Sequence, residues 1–421
     1  MPRASKIRLK AKKRSEELNN KILNEGNCVK FGIQIALDKD QTEPFTVSNN
    51  GEVLEITYSE ALLDQIKTGV GLFTVFKNLF GFTDENGLIP LVSKESEMDV
   101  MERLFMKSKN EYPEGIRFHR KEQLAFMQVF IFEHYLNRND KSIQQIIQSF
   151  ITDALNGHFK LNNLLLRFPS PESSFLEKIR ALAPELEFIL KQYQVYLNEG
   201  TIDFEIIEID SSPLKFNEVK SLLEKKYVYI GSDKAITLKH HFYSDQSLLH
   251  YVEPFKDKYS NLYDLLQDED VKLDNFHNYQ QPLINHLIAE GYLHIDANNN
   301  VKMEKDIQLY LIGDLYRNEV LSYWHYPEEV RNIIDEMGRD GLVKFENTLF
   351  SKQETDYLNY HLNKKGFTNG LNIRNKYLHG SNSGSEKEHK NEYYILLRLI
   401  ILVLLKIADD LALKNSNEKV T

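Results

Sequence analysis

The feature that most constrains the fold of this 421-residue chain is a long apolar segment close to its end. Residues 393–405 read "YYILLRLIILVLL", and almost every position between Tyr393 and Ala408 is apolar. The run is too short to span a bilayer, which takes about 20 residues, and it contains Arg398. A helix that is apolar on every side is buried on every side. The segment therefore predicts the central helix of a bundle, and the same helix of a second subunit is one candidate neighbour.

Composition is that of a globular protein, with 42% hydrophobic and 27% charged residues. The length suits two or three domains. The single cysteine, Cys28, excludes a disulfide framework and a cysteine-based metal cluster, and it favours a reducing compartment. No apolar stretch follows the basic start "MPRASKIRLKAKKR", so we expect no secretory signal, no membrane contact and a cytoplasmic protein.

Charge is distributed unevenly along the chain. Residues 1–14 contain seven lysines and arginines and no acid, so the net charge of −10 becomes −17 for the remainder. A short basic arm on an acidic body can contact nucleic acid, and the alternative is an ordinary solvated terminus.

The first half of the chain mixes strand and helix patterns. The stretches "CVKFGIQIAL" and "VLEITY" predict strands, and residues 121–138, 142–157 and 174–199 predict helices, the last broken near Pro184. Residues 202–243 favour strands at "IDFEIIEID", "KKYVYIG" and "KAITLKHHFY".

The next segment predicts a unit that resembles a winged helix. In residues 280–303 a helix ends at Glu290-Gly291, and "YLHID", an "ANNN" turn and a second strand follow. This order is typical of a recognition helix with a wing, but the helix carries no Lys or Arg, so a purely structural role is favoured over DNA binding. We see no internal repeat in the sequence.

From residue 306 onward the pattern is helical. Ser351 and Glu354 form the capping box of one helix, and "LNIRNKYLH" predicts another that ends at Gly380. Asn375 and His379 are four residues apart and share a face of that helix. The long side chain of Arg374 can bend towards the same place. His379 would lie at the negative end of the helix dipole, which favours the imidazolium form.

The stretch "RNKYLHG" ahead of an apolar last helix resembles the HEPN superfamily, whose hallmark is R-x4-6-H, and in particular its Apea-like members. The resemblance covers about residues 306–421. It implies a dimeric, metal-independent endoribonuclease without a cofactor, with a role in phage defence or stress response. By position, His379 would be the general acid or base, Arg374 would hold the scissile phosphate, and Asn375 would orient either.

Two alternatives stay open beside this resemblance. Many HEPN domains are inactive, so the chain could be a non-catalytic dimer that binds nucleic acid or a protein. Arg374 could also simply pair with an acid of the bundle. In addition, Ser381 replaces the Tyr found in the toxin branch that is controlled by nucleotidyl transfer, which argues against regulation of that kind.

Other catalytic patterns have little support. Asp210, Glu218 and Lys220 are spaced loosely like a Mg²⁺ nuclease site, but that site needs a strand where "NEVKSLLEKK" predicts a helix. His119 and the pair His240-His241 lack the partners of a metal site. No nucleotide-binding or nucleophile-elbow motif is present, so we expect neither a metal nor a cofactor.

Together these patterns predict a mainly α-helical protein with a mixed α+β N-terminal region. The expected divisions are a basic arm and short helix (1–26), a mixed region of unknown role (27–245), a linker with the winged-helix-like unit (246–305) and a HEPN-like helical domain (306–421).

Overall fold

A computed structural model describes residues 32–49, 53–105, 110–209, 214–363, 366–378 and 384–418. These residues form fifteen α-helices and three small three-stranded sheets, so the predicted mainly helical, mixed fold is confirmed at this level. None of the helices in these ranges combines the length and apolar character that crossing a membrane requires. The basic arm lies outside the described residues.

The helices of the described residues follow one another along the chain as α1 (Glu60–Gln65), α2 (Gly69–Asn78), α3 (Val100–Phe105), α4 (Ile116–Arg138), α5 (Ile143–Ser149), α6 (Phe175–Glu199), α7 (Phe204–Ile209), α8 (Asp233–Tyr243), α9 (Leu262–Asp268), α10 (Gln281–Ala289), α11 (Asp306–Asn318), α12 (Glu328–Arg339), α13 (Lys352–Leu362), α14 (Ile373–Leu378) and α15 (Glu386–Glu418). The strands are β1 (Gly32–Asp38), β2 (Phe45–Asn49), β3 (Val53–Ser59), β4 (Tyr227–Ile230), β5 (Val271–Lys272), β6 (Leu293–Ile295), β7 (Asn300–Met303), β8 (Leu321–Ser322) and β9 (Val343–Glu346).

The first sheet contains both strands predicted near the N-terminus and one that was missed. β3 is central, with β1 parallel to it on one side and β2 antiparallel on the other. Every residue of β2 is exposed, so its sequence lacks the alternation that marks a half-buried strand.

The helices predicted from apolar periodicity are present, with two differences. Ser142, at the predicted start of its helix, caps α5, but a π-helical turn, Phe150–His158, continues it. α6 passes through Pro184 without a break. Pro184 faces solvent while Ala183 and Glu185 on either side are buried, so packing keeps the helix continuous despite the lost backbone hydrogen bond.

Two of the three strands predicted between residues 202 and 243 are wrong, because "FEIIEI" forms α7 and "KAITLKHHFY" forms most of α8. Ser232 explains the second case: its side chain accepts a hydrogen bond from the backbone of Ala235 and starts α8 despite the β-branched residues. The third strand is confirmed as β4.

Buried apolar side chains form two large clusters that do not follow chain order. The first combines residues 56–219 with residues 349–411, and the second contains residues 228–343. The predicted boundaries at 245/246 and 305/306 both fall within the second cluster. The helical bundle is therefore built from α4, α5 and α6 together with α13, α14 and α15, and residues 228–343 form an insertion between its two parts.

α15 is the central helix of the bundle, as the apolar run predicted. Leu396, Leu397 and residues 399–404 are fully buried, and the helix packs on α4 and α6. One chain alone thus buries this helix, so its apolar character no longer argues for a dimer through α15. The dimer itself stays a prediction.

The insertion contains an internal repeat, which corrects the expectation that the chain has none. Helix α9, strand β5, helix α10 and strand β6 recur as α11, β8, α12 and β9, and residues 271–295 match residues 321–345 at a constant offset of 50. Each copy has a 3₁₀ turn after its first strand, at Leu273–Asn275 and Tyr323–His325. The helix, glycine and first strand of the winged-helix-like order predicted for residues 280–303 therefore occur twice.

Backbone hydrogen bonds repeat at the same offset. The amide of Tyr292 donates to the carbonyl of Leu287 at 3.0 Å, and the amide of Leu342 donates to that of Met337 at 2.9 Å. In each copy the helix ends at a glycine in the left-handed region, Gly291 with φ of 71° and Gly341 with φ of 70°. Only these two glycines and Ile284/Ile334 are identical across the 25 aligned positions, so the repeat is evident in the structure but not in the sequence.

The sheets of the two copies differ in the origin of the central strand. In the first copy β7 lies between β5 and β6, and Val301 pairs with both Val271 and Ile295. In the second copy β4 takes that position, and Val228 pairs with both Leu321 and Phe345. The second copy thus obtains its central strand from upstream of the first copy.

Charged side chains on α15 fix it to its neighbours from inside the core. Arg398 is 1% exposed, and it donates to the carboxylate of Glu122 at 2.5 Å. Burial would raise the pKa of Glu122, but Arg398, His361 and Tyr357 outweigh that effect and lower it. Lys406 pairs with Glu354 at 2.9 Å and also donates to the carbonyl of Gly87.

The C-terminal part of α15 contacts the insertion and the segment that leads into it through two acids. Asp410 pairs with Lys226 at 2.5 Å, and Asp409 lies 3.1 Å from His325 of the second repeat copy. Burial alone would raise the pKa of Asp409, but the hydrogen bond with His325 and the charges of Lys226 and Lys406 lower it to about 2. The bundle and the insertion are therefore joined by buried charges.

The pair Lys406–Glu354 gives a test of this arrangement. We expect Lys406→Met to lower the free energy of unfolding by roughly 3–5 kcal/mol, because it leaves the Glu354 carboxylate buried without its cation. Urea denaturation followed by circular dichroism measures the loss. The control is Lys352→Met on the neighbouring helix, whose pair with Glu346 is solvent-exposed and should contribute less than about 1 kcal/mol. An equal loss of unfolding free energy in both variants would contradict the role of Lys406–Glu354 as a buried pair that stabilises the fold.

The repeat predicts matched effects at its two glycines. Gly291→Ala and Gly341→Ala should each cost about 1–2 kcal/mol, because a β-carbon has open space at both sites and only the left-handed backbone opposes it. Thermal denaturation of both variants, with Gly291→Asn and Gly341→Asn as controls that tolerate this conformation better, checks the prediction. An alanine variant as stable as the native chain would refute the equivalence of the two turns.

Candidate functional site

The predicted site lies on α14, a helix of six residues between α13 and α15. Ile373 and Tyr377 are buried and hold α14 against α6 and α13. Asn372, just before the helix, has a positive φ of 56°, and its carbonyl accepts the amide of Lys376 at 3.0 Å. Two anchored residues one turn apart leave Arg374 and Asn375 partly exposed between them.

Arg374 is ion-paired with Glu187 in the middle of α6. Glu187 also accepts the backbone amide of Leu214 at 3.1 Å, and the ammonium of Lys191 lies 3.9 Å away. The Nε atom of Arg374 is buried, and it has no hydrogen-bond partner among the described residues. The guanidinium is therefore held by one carboxylate but retains an unused donor.

Asn375 makes a local contact. Its side-chain amide donates to the side-chain oxygen of Asn372 at 2.8 Å. The third predicted residue, His379, lies outside the described residues, as do Gly380, the predicted helix end, and Ser381. The structure thus places Arg374 and Asn375 next to each other on α14 and describes nothing of their relation to His379.

A group of polar residues beside this site was missed in the sequence. The hydroxyl of Tyr377 lies 2.6 Å from Nδ1 of His389 and donates to Glu392, which also pairs with Lys376 at 2.5 Å. Burial and the nearby carboxylate of Glu392 raise the pKa of Tyr377. His389 and Glu392 are three residues apart and share a face on the first turns of α15, just before the apolar run from which this helix was predicted.

This group fixes α14 to the start of α15 and so positions Arg374 indirectly. From α14, Lys376 and Tyr377 both contact the carboxylate of Glu392 on α15. From α15, His389 contacts the hydroxyl of Tyr377. The side chain of His389 is itself buried. Its contact with Tyr377 makes it a positioning residue rather than a substrate-binding one.

The other candidates from the sequence are not brought together. Glu218 pairs with Lys215 on the surface, Lys220 lies near Asn347, and Asp210 is outside the described residues. His119 and His240 are exposed. The part of the chain that is described contains no group of three or more histidine, cysteine or acidic residues arranged for a metal.

Comparison of the chain with protein-family models, with curated proteins and with solved structures gave no match. The geometry around α14 is therefore the basis for any functional conclusion, together with the sequence motif that directed attention to it.

A double-mutant cycle tests whether the ion pair between Arg374 and Glu187 contributes to stability. Arg374→Gln and Glu187→Gln should each cost up to about 1 kcal/mol, and the double variant should cost little more than either one, because the pair is partly exposed. Urea denaturation gives the coupling energy. The exposed pair Arg339–Glu336 is the matched control and should show coupling near zero. Fully additive losses at Arg374 and Glu187 would mean that the contact does not stabilise the fold.

Proposed function

We propose that the protein is a metal-independent endoribonuclease of HEPN type, with Arg374, Asn375 and His379 as its catalytic residues. The observation that carries the proposal is the state of Arg374: it lies on the helix that leads into His379, is partly exposed, and has a buried Nε without a partner among the described residues. A partly exposed guanidinium can donate two hydrogen bonds to phosphate oxygens in a two-pronged contact.

The reaction uses the RNA's own 2′-hydroxyl as the nucleophile. His379 takes the proton from that hydroxyl, the oxygen attacks the adjacent phosphorus, and the bond to the 5′-oxygen of the next nucleotide breaks. The leaving oxygen receives a proton, and the other product ends in a 2′,3′-cyclic phosphate. Arg374 neutralises the charge that develops on the phosphate, and Asn375 orients the phosphate or His379.

Glu187 has a defined part in this scheme. Without RNA it holds the guanidinium of Arg374 against α6. When RNA binds, the phosphate takes over part of this contact, and Glu187 keeps the arginine from rotating away. The ion pair between Glu187 and Arg374 therefore lowers the affinity for RNA but keeps the guanidinium in its catalytic position.

A second candidate is a non-catalytic HEPN module that binds nucleic acid or a protein. The ion pair to Glu187 favours it, because an arginine that serves the bundle needs no substrate. Both candidates include a homodimer, a contact of the basic arm with nucleic acid and a role in phage defence or stress response, which remain proposals.

The test of the first candidate is cleavage of labelled single-stranded RNA and tRNA in the presence of EDTA. We expect the native chain to cut and His379→Ala to be slower by roughly 10²–10⁴-fold, because a general acid or base typically contributes that much. Arg374→Ala should also be strongly impaired. Mass spectrometry of the products should show 2′,3′-cyclic phosphate ends.

The matched control is His119→Ala, which removes an exposed histidine away from α14 and should cut like the native chain. Native-like cleavage by His379→Ala would refute the assignment. Binding of RNA without cleavage by the native chain would favour the non-catalytic module instead.

A further inference from the structure

A surface row of alternating aromatic rings and ammonium groups lies where α4 meets the first turns of α6 and α15. We call it the Phe130 row; it consists of Phe130, Lys390, Phe175 and Lys178. The Nζ of Lys390 lies 5.2 Å from the ring centre of Phe130 and 5.9 Å from that of Phe175. The Nζ of Lys178 lies 5.3 Å from the ring centre of Phe175. Three helices thus supply one continuous surface.

The cations of the row have no acidic partner. Neither Lys178 nor Lys390 forms an ion pair with any residue in the described ranges, and both are partly buried. Lys178 donates to the carbonyl of Pro171 at 2.7 Å. Two adjacent lysines that form no direct ion pair among the described residues can attract an anion from outside.

The rings of the row are held from behind. Tyr394 contacts Phe130 edge-on with ring centres 5.9 Å apart, and Tyr393 contacts Phe175 at 5.5 Å. The hydroxyl of Tyr393 accepts a hydrogen bond from Gln144 at 2.5 Å. Phe130 nevertheless stays 45% exposed. Phe130 is therefore held from below and open above, as a stacking surface requires.

A ligand that matches both features must combine negative charges with flat aromatic faces at short, regular intervals. Single-stranded nucleic acid does so, because its bases stack on aromatic side chains while its phosphates meet cations. A double helix keeps its bases inside and would use only the lysines. An acidic peptide would also use the lysines but has no need of the exposed ring.

We propose that the Phe130 row binds a single-stranded segment of RNA, with bases stacked on Phe130 and Phe175 and phosphates on Lys178 and Lys390. The inference deepens the proposed function, on which it rests for the choice of RNA. Phe175 precedes Glu187, the partner of Arg374, by twelve residues on α6, which is about 18 Å along the helix. The row would hold the strand a few nucleotides from the cleaved bond.

Three acids oppose the lysines, because Glu133 and Glu172 lie within range of the charge of Lys178 and Glu386 lies beside Phe175. Glu386 accepts the amide of Phe175 at 3.4 Å, so its carboxylate occupies the start of α6. Binding should therefore be moderate and sensitive to salt. Glu386→Gln should tighten it a few-fold.

The experiment measures RNA binding without cleavage. A fluorescein-labelled single-stranded RNA is titrated with the full chain carrying His379→Ala, and anisotropy gives Kd. Adding Phe130→Ala should weaken binding by about tenfold or more, because one stacked base is lost. Adding Lys178→Gln and Lys390→Gln should weaken it similarly and reduce the slope of log K against log salt by about 1.4, since two phosphate contacts are removed.

Controls come from equally exposed residues elsewhere. Phe45→Ala, at a 49% exposed ring on β2, and Lys77→Gln on α2 should leave Kd within twofold of the parent. Circular dichroism confirms that each variant is folded. Replacing Phe130 by Tyr keeps the ring and should restore binding.

Three results would overturn the proposal. One is the absence of RNA binding by the parent chain. Another is a Kd that does not change with Phe130→Ala, which would mean that RNA binds through charge alone and not through stacking. The third is equal or tighter binding of a double-stranded RNA of the same length.

Failure of the row and failure of the proposed function are distinguishable. The binding assay contains no active His379, and the cleavage assay contains no change in the row. RNA that binds through Phe130 but is never cut by the native chain would reject the nuclease and leave the row in place.

Discussion

Asp410 brings a negative charge into the interior of the protein, where its side chain is completely buried. Four donors from two separate parts of the chain meet it: the hydroxyl of Tyr193 at 2.6 Å, the hydroxyl of Ser221 at 2.5 Å, the amide of Leu222 at 2.7 Å and the ammonium of Lys226 at 2.5 Å. Desolvating a carboxylate is costly, and only a full set of partners offsets that cost. Because α6, α15 and the segment leading to β4 all supply or carry these groups, their relative positions are fixed by one side chain.

The same principle extends along α15. Apolar burial places the helix in the middle of the bundle, but burial has no direction and would accept many registers. Arg398, Lys406 and Asp410 each have a specific partner on a different element. Their hydrogen bonds select one register, and any slip would leave a buried charge unpaired. The position of α14, and with it Arg374, follows from that choice because Glu392 of α15 holds Lys376 and Tyr377.

Sequence periodicity was reliable where burial alone decides structure. The central position of α15, the capped starts of α5 and α13 and the strands β1 and β3 follow from apolar spacing and local capping. Periodicity failed where contacts between residues distant in the sequence decide the local structure. The "KAITL" stretch reads as a strand by propensity and folds as a helix, and the two repeat copies share burial positions but almost no identical residues.

The site was predictable only in part for the same reason. Arg374 and Asn375 were found from spacing within one helix. Glu187 is 187 residues away from Arg374 in the chain, and no local pattern marks it as a partner. His389 and Glu392 had a local signal, a three-residue spacing next to a helix start, but they precede the apolar run that drew attention to α15. The unpaired lysines of the Phe130 row became visible only when three helices were brought together.

The origin of the central strand in the second repeat copy has a consequence for how this chain is assembled from parts. β4 opens the insertion and β9 closes it, and Tyr227 at the start pairs directly with Glu346 at the end. The insertion therefore enters and leaves the bundle through one narrow two-stranded neck. Beyond this neck, residues 94–96 form hydrogen bonds with residues 317–319, and Asp409 contacts His325. The neck thus marks the place where the pair of repeats interrupts the bundle, and replacing the pair would also remove the partners of Asp409 and of residues 94–96.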